Sequence, residues 1–87
     1  MEREVVIKNK QGLHARPATV FVQEAGKYSC DVTVEKEGKS INAKSILGIL
    51  SLGIANGNTI KIKAEGADAE AAVEALVKLV DSKFGEE

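Results

Sequence analysis

The spacing of apolar residues changes several times along this 87-residue chain, and that change limits the fold more than any other feature. Four runs alternate apolar and polar residues as half-buried strands do, at residues 4–8, 30–35, 40–42 and 59–64. Residues 15–25 and 68–80 instead space apolar residues three and four apart, as one face of a helix requires. A further apolar run, residues 45–52, is long enough only for a short helix. The predicted order is βαββαβα.

Each predicted element has one apolar face, and those faces define the expected core. Its members are Val5, Ile7, Ala18, Phe21, Val22, Ala25, Ile60, Ile62, Ala64, Ala69, Ala72, Val73, Leu76 and Val80. Gly38 lies in the turn between the second and third strands, which predicts a hairpin. Strands with one polar face suit an antiparallel sheet that is covered on one side only. We therefore expect an α+β, two-layer sandwich of four strands and three helices, forming a single domain over residues 1–87.

The sequence also predicts where the helices begin and where the first one ends. Proline is tolerated in the first turn of a helix and almost nowhere else inside one, so Pro17 places the helix start near His14, at about the N-cap. Gly26 ends this helix. Ser45 and Asp68 are predicted N-caps of the other two helices, because their side-chain oxygens can accept backbone N–H bonds.

Composition excludes several classes of function. The formal net charge is −1 at pH 7, which provides no basic field for direct nucleic-acid binding. No apolar run approaches the ~20 residues of a membrane span. The charged N-terminal segment does not resemble a signal peptide, so we expect a cytoplasmic protein. One histidine and one cysteine, Cys30, cannot form an internal disulfide or a zinc site, and we expect no metal or cofactor. Cys30 is in phase with Val32, which predicts a core position.

His14 is the strongest candidate for chemistry. No serine or acid residue near it in sequence completes a hydrolase site, and so small a chain can hardly enclose a substrate pocket. A neutral imidazole can itself be a nucleophile near physiological pH. A phosphoryl group suits these surroundings, since Arg16 and the amides of the helix start both favour phosphate. Spacing alone leaves the alternative open that His14 is a capping or surface residue and Arg16 a solvated charge.

The short helix carries more apolar residues than one buried stripe requires. Ile46, Leu47, Ile49 and Leu50 are distributed around it, so some of them must face outward. Exposed apolar side chains of this kind are typical of a docking surface.

Two segments of the chain resemble those of the histidine-containing phosphocarrier (HPr) family of the bacterial phosphoenolpyruvate:sugar phosphotransferase system, and the resemblance covers essentially the whole chain. They are Gly12-Leu13-His14-Ala15-Arg16-Pro17-Ala18-Thr19 and Lys44-Ser45-Ile46-Leu47-Gly48-Ile49-Leu50-Ser51-Leu52-Gly53-Ile54. The resemblance implies an open-faced sandwich with the sheet order 1-4-2-3, which local patterns do not give. It also implies that His14 is phosphorylated at Nδ1, with Arg16 beside the phosphohistidine.

The same resemblance implies the partners. Enzyme I would phosphorylate His14, and IIA domains of sugar permeases would accept the phosphoryl group. Ser45 matches the serine that HPr kinase/phosphorylase modifies in Gram-positive-type systems, where the modified form recruits the catabolite control repressor in carbon catabolite repression. The predicted partner-binding residues are Ala15, Thr19, Val20, Ile46, Leu47 and Leu50. We expect a monomeric carrier involved in sugar transport rather than a stand-alone enzyme.

Other functions remain open at this point. One is a regulatory module that acts on a transcriptional repressor through phosphorylated Ser45; the resemblance implies that such relatives lack the histidine, which is present here as His14. A second is a carrier of a nitrogen-related or other parallel phosphotransfer branch. A third is a generic small α+β interaction domain.

Overall fold

Residues 1–85, which the computed structural model describes, form four strands and three α-helices in the predicted order. The elements are β1 (Glu2–Val6), α1 (Ala15–Ala25), β2 (Asp31–Lys36), β3 (Lys39–Asn42), α2 (Ile46–Ser51), β4 (Thr59–Glu65) and α3 (Ala69–Asp81). A 3₁₀ turn, Lys83–Gly85, follows α3. The predicted domain also includes Glu86 and Glu87, which lie outside the described residues. None of the described helices has the length and apolar character needed to span a membrane.

The strands form one antiparallel sheet in the order β1-β4-β2-β3, which confirms the predicted fold class. Alternate residues of the two central strands point toward the helices and are buried. In β4 these are Ile60, Ile62 and Ala64, as the alternating pattern predicted. The residues between them form the open face of the sheet, which no described helix covers.

The core lies between the helix-side face of the sheet and the three helices. Phe21, Ile49 and Leu76 have no solvent-accessible surface. Burial of side chains of this size contributes roughly 1.5–3 kcal/mol each. Cys30 is 3% exposed and belongs to the same cluster, as predicted, and burial raises the pKa of its thiol, with a further contribution from Asp68. The 3₁₀ turn, which no local pattern predicts, places the Phe84 ring centroid 6.4 Å from that of Phe21.

The first strand differs from the prediction. It extends from Glu2 to Val6 rather than over residues 4–8, because its pairing with β4 runs only from Glu2 opposite Lys63 to Val6 opposite Thr59. Ile7 lies just beyond the strand and is still fully buried, as predicted for its side chain. The end of β1 is set by where the partner strand β4 begins, at Thr59, and alternation within β1 does not reveal that position.

Asp68 is the N-cap residue of α3, as predicted, but its carboxylate makes no capping bond to the helix. It accepts hydrogen bonds from the Ser29 amide (2.9 Å), the Ser29 hydroxyl (3.3 Å) and the Cys30 amide (3.0 Å). These donors, Ser29 N–H first, lower the pKa of Asp68. The carboxylate therefore joins the start of α3 to the segment that enters β2.

Candidate functional site

His14 occupies the N-cap position of α1, as the sequence predicted. It has extended backbone angles, and its imidazole makes no capping bond to the helix. The first helical hydrogen bond runs from the Ala18 amide to the His14 carbonyl, at 2.9 Å. The amides of Ala15 and Arg16 therefore have no intrahelical partner, and Pro17 has no N–H to satisfy. The partly exposed imidazole thus lies at a helix end that favours an anion.

The two residues that flank this position differ in burial. Arg16 is exposed in the first turn of α1, whereas Pro17 is buried against the core. Pro17 fixes the helix start through its restricted φ, and a guanidinium beside it can bind phosphate oxygens in a bidentate manner. The start of α1 therefore combines a backbone that Pro17 makes rigid with the exposed guanidinium of Arg16.

The loop before His14 is held closely. Gly12 has φ +67°, and a Cβ there would lie 2.6 Å from the Ala55 Cα, so only glycine fits. The Leu13 amide donates to the Ile54 carbonyl at 2.9 Å. The fully buried Asn9 donates from its side-chain Nδ2 to the Gly12 carbonyl at 2.5 Å. The backbone carbonyl of Asn9 accepts a hydrogen bond from the Gly12 amide at 3.1 Å. These contacts define the backbone on which His14 is presented.

The short helix α2 begins at Ser45, which is its N-cap as predicted. The Ser45 hydroxyl accepts a hydrogen bond from the Gly48 amide at 3.1 Å. Ile49 faces the core with no exposure, while Leu47 is 77% and Leu50 is 40% exposed. Ile46 is half-buried. The outward apolar side chains inferred from the sequence are therefore mainly Leu47 and Leu50.

Helix α1 supplies the neighbouring surface. Ala15 and Thr19 are exposed and Val20 is half-buried on the outside of α1, and the Thr19 hydroxyl donates to the Ala15 carbonyl at 2.7 Å. Because α1 packs against α2, the six predicted partner-binding residues lie on two adjacent helices. We call the outer sides of α1 and α2, with His14 and Ser45 at their N-terminal ends, the helix surface.

Two lysines that the sequence analysis did not single out for a structural role hold α2 in place. Lys36 donates from Nζ to the carbonyls of Leu52 (3.0 Å) and Gly53 (3.1 Å), where a cation is favourable at the helix C-terminus. Lys44 donates from Nζ to the Tyr28 carbonyl at 2.7 Å. All three bonds join residues 16 or 17 positions apart, so no local pattern predicts them.

Among residues 1–85, no group of three or more His, Cys, Asp and Glu side chains is arranged to hold a metal ion. The chemistry available at the helix surface is therefore that of one imidazole, one nearby guanidinium and the amides of a helix start.

Comparison with known proteins places this arrangement in a family. The family model for the PTS HPr component phosphorylation site matches residues 1–82. The HPr-like protein Crh of Halalkalibacterium halodurans is 46% identical over 83 residues, which are 95% of this chain and 99% of that protein. The crystal structure of HPr-C-His from Thermoanaerobacter tengcongensis is 59% identical, with a TM-score of 0.98, covering 100% of this chain and 98% of that one. An HPr dimer from the same organism is 60% identical, with a TM-score of 0.81 and 94% of each chain covered. The chain belongs to the HPr family of phosphocarrier proteins.

Proposed function

We propose that this protein relays a phosphoryl group from phospho-enzyme I to the IIA domains of sugar permeases through a phosphohistidine at His14. The observation that carries the proposal is the position of His14: a partly exposed imidazole at the N-terminus of α1, next to Arg16. Membership of the HPr family supports the same proposal of a phosphoryl relay. The protein acts as a carrier, because the phosphoryl group is bound to its own side chain and passed on.

The transfer needs little more than positioning. The lone pair of the neutral His14 Nδ1 attacks the phosphorus atom, a P–N bond forms, and the bond to the donor breaks with its electron pair returning to the donor. The Ala15 and Arg16 amides and the Arg16 guanidinium stabilise the charge on the phosphoryl oxygens. Discharge to a IIA domain follows the same steps with the roles exchanged.

Donor and acceptor proteins must reach the same nitrogen in turn, so both are expected to dock on the helix surface. Its exposed apolar residues, Leu47 above all, provide contacts that a partner can bury. Such exchange between soluble partners fits a cytoplasmic protein. We also propose that the working form is a monomer, since one protomer carries every group named here. Sedimentation at micromolar concentration tests this, and a stable dimer like that solved for the related HPr would contradict it.

Ser45 is proposed as a regulatory phosphorylation site for HPr kinase/phosphorylase. Its hydroxyl caps α2, so a phosphate there would place roughly −1.5 to −2 charges at a helix N-terminus, where the helix dipole favours them. The fold should therefore persist while the charge of the docking surface changes. The modified form would be recognised by the catabolite control repressor.

A second candidate is a purely regulatory binding module. The observation that favours it is the 46% identity to a protein named HPr-like protein Crh. The two candidates make different demands on His14: a relay needs its nitrogen, whereas binding through phosphorylated Ser45 does not. Both activities can coexist in one chain.

The experiment that separates the candidates is a two-step transfer. The protein is incubated with labelled phosphoenolpyruvate and enzyme I, isolated, and then mixed with IIA domains of several branches, including a nitrogen-related one. A relay becomes labelled and passes the label to at least one IIA domain. A chain that stays unlabelled, yet binds the repressor after Ser45 phosphorylation, would be the regulatory module instead.

A further inference from the structure

The segment that precedes β4 contacts the segment that precedes His14 over much of its length. We call residues 54–58 the support loop and residues 8–13 the acceptor loop. Beside the bond from Leu13 to Ile54, the Gly57 amide donates to the Ile7 carbonyl at 2.8 Å, and the Ile7 amide donates to the Asn58 carbonyl at 2.9 Å. The support loop is therefore joined to Ile7, just before the acceptor loop, and to Leu13 at the end of the acceptor loop.

The middle of this contact is made by one side chain. Asn56 donates from Nδ2 to the carbonyl of Lys8 at 3.1 Å and to the carbonyl of Asn9 at 3.2 Å. Both partners are acceptors, so the amide nitrogen must face them, and an oxygen in its place would repel both carbonyls. One NH₂ group thus fixes two consecutive peptide units of the acceptor loop.

This contact acts on the turn that carries His14. The Asn9 carbonyl that Asn56 binds also accepts the Gly12 amide, which closes the turn from Asn9 to Gly12. Gly12 in turn lies so close to the Ile54 and Ala55 backbone that a Cβ would not fit. A shift of the Asn9 carbonyl would therefore move Gly12, Leu13 and the N-cap residue after them.

Neither the docking surface nor the core accounts for Asn56. Its side chain is exposed, and it belongs to a loop rather than to α1 or α2. We propose that Asn56 is a positioning residue for phosphoryl transfer: it fixes the acceptor loop so that the His14 imidazole is presented in the attacking orientation. This proposal rests on the proposed relay through His14. Misplacement of a reacting group by about 1 Å can cost about a hundredfold in rate, so a residue that touches no reactant can still control it.

A matched pair of variants two residues apart tests this. Asn56→Asp replaces the donor by an oxygen that repels the two carbonyls. Asn58→Asp adds the same charge but keeps the acceptor that Asn58 Oδ1 provides to the Ala55 amide at 2.7 Å. With enzyme I and phosphoenolpyruvate, we expect Asn56→Asp to lower kcat about tenfold with KM unchanged, while Asn58→Asp behaves like the wild type. Asn56→Ala, which adds no charge, should follow Asn56→Asp.

Several results would overturn the proposal. They are an unchanged kcat in Asn56→Asp, an equal loss in Asn58→Asp, which would indicate a charge effect, or a rise in KM alone, which would indicate docking. Amide exchange provides a readout that does not depend on activity: the Leu13 amide should exchange about tenfold faster in both Asn56 variants and not in Asn58→Asp. A wild-type protein that takes up no phosphoryl group would overturn both the relay and the positioning role, and the exchange rates would then show only whether Asn56 holds the acceptor loop. Transfer that proceeds normally in Asn56→Asp would overturn the positioning claim and leave the relay intact.

Discussion

The helix surface and the open face of the sheet are both exposed, yet they are built from different residues. On the open face, carboxylates on the strands to either side alternate with lysines of β4, as in Glu2, Lys63, Lys61 and Glu35. The helix surface instead exposes leucine side chains of α2 and carries a partly exposed histidine at the start of α1. One surface is polar and repetitive, and the other is apolar and irregular.

The stability of the fold accounts for the residues of the open face, but it does not account for the exposed apolar residues of the helix surface. Lys63 Nζ and Glu35 Oε1 lie 2.9 Å apart on neighbouring strands, diagonal to the direct pairing of Glu35 with Lys61, and their hydrogen bond lowers the pKa of Glu35 and raises that of Lys63. Such cross-strand pairs stabilise a sheet. An exposed leucine such as Leu47 buries little apolar surface in the isolated chain. The residues that carry function are therefore expected on the helix surface. Three variants of that surface are each matched with a control variant on the open face, and a fourth variant changes the open face itself.

The largest effect is expected for His14→Ala. This change removes the nucleophilic nitrogen and should abolish label uptake from phosphoenolpyruvate and enzyme I, while the fold stays intact, because the imidazole does not cap α1. Glu4→Gln on the open face is the control and should take up label at the wild-type rate. Undiminished labelling of His14→Ala would remove His14 from the mechanism.

Ser45→Asp should slow phosphoryl uptake by at least about tenfold, because a fixed negative charge at the docking surface repels an acidic partner. Aspartate is itself a good N-cap, so the melting temperature should change little. Ser40→Asp places the same charge on the open face and should leave the uptake rate unchanged. If the two variants slow uptake equally, the effect belongs to net charge rather than to the helix surface.

Leu47→Ala should raise KM for enzyme I roughly fivefold with kcat unchanged, since truncating one of the few central side chains of an interface costs about 1 kcal/mol or more of binding. Steady-state kinetics with varied carrier concentration measures this. Val6→Ala is the matched control, because Val6 is 44% exposed on an outer strand of the sheet. A KM that rises in Val6→Ala and not in Leu47→Ala would reverse the assignment of the two surfaces.

The smallest effect is expected for Glu35→Gln on the open face, and it concerns stability rather than transfer. Because the folded pKa of Glu35 lies below its ordinary value of 4.5, the carboxylate stabilises the fold above that pH, and this contribution is lost as the pH falls through the folded pKa. The melting temperature at pH 7 should drop by about 1–5 °C in low salt, and the difference from wild type should shrink as the pH falls below 4.5 and Glu35 is protonated. A difference that stays constant as the pH falls, or a slower phosphoryl uptake, would contradict this account.

Local sequence patterns predicted the features that depend on neighbouring residues in the chain. Alternation predicted the buried face of β4, Pro17 predicted the start of α1, and the excess of apolar residues in α2 predicted outward side chains. The sheet order came from resemblance to a family rather than from any segment. It depends on which strands meet, and strand propensity does not encode that choice.

The features that sequence reasoning missed are long-range contacts of single side chains. Asp68 has the residue type of a cap, but it bonds to Ser29 and Cys30, which are 39 and 38 positions away. Asn56 belongs to an Asn-Gly-Asn run that is typical of a turn, and its amide reaches carbonyls 47 and 48 positions earlier. Such contacts depend on how distant segments are packed together, and an asparagine in a turn has many partners available to it.

The central claim is that the helix surface carries an acid-labile phosphohistidine at His14. The most direct measurement is the intact mass of the protein after incubation with phosphoenolpyruvate and enzyme I, before and after brief exposure to acid. We expect one added phosphoryl group that acid removes and that is absent from His14→Ala. An unmodified mass, or an added group that survives acid, would contradict the account.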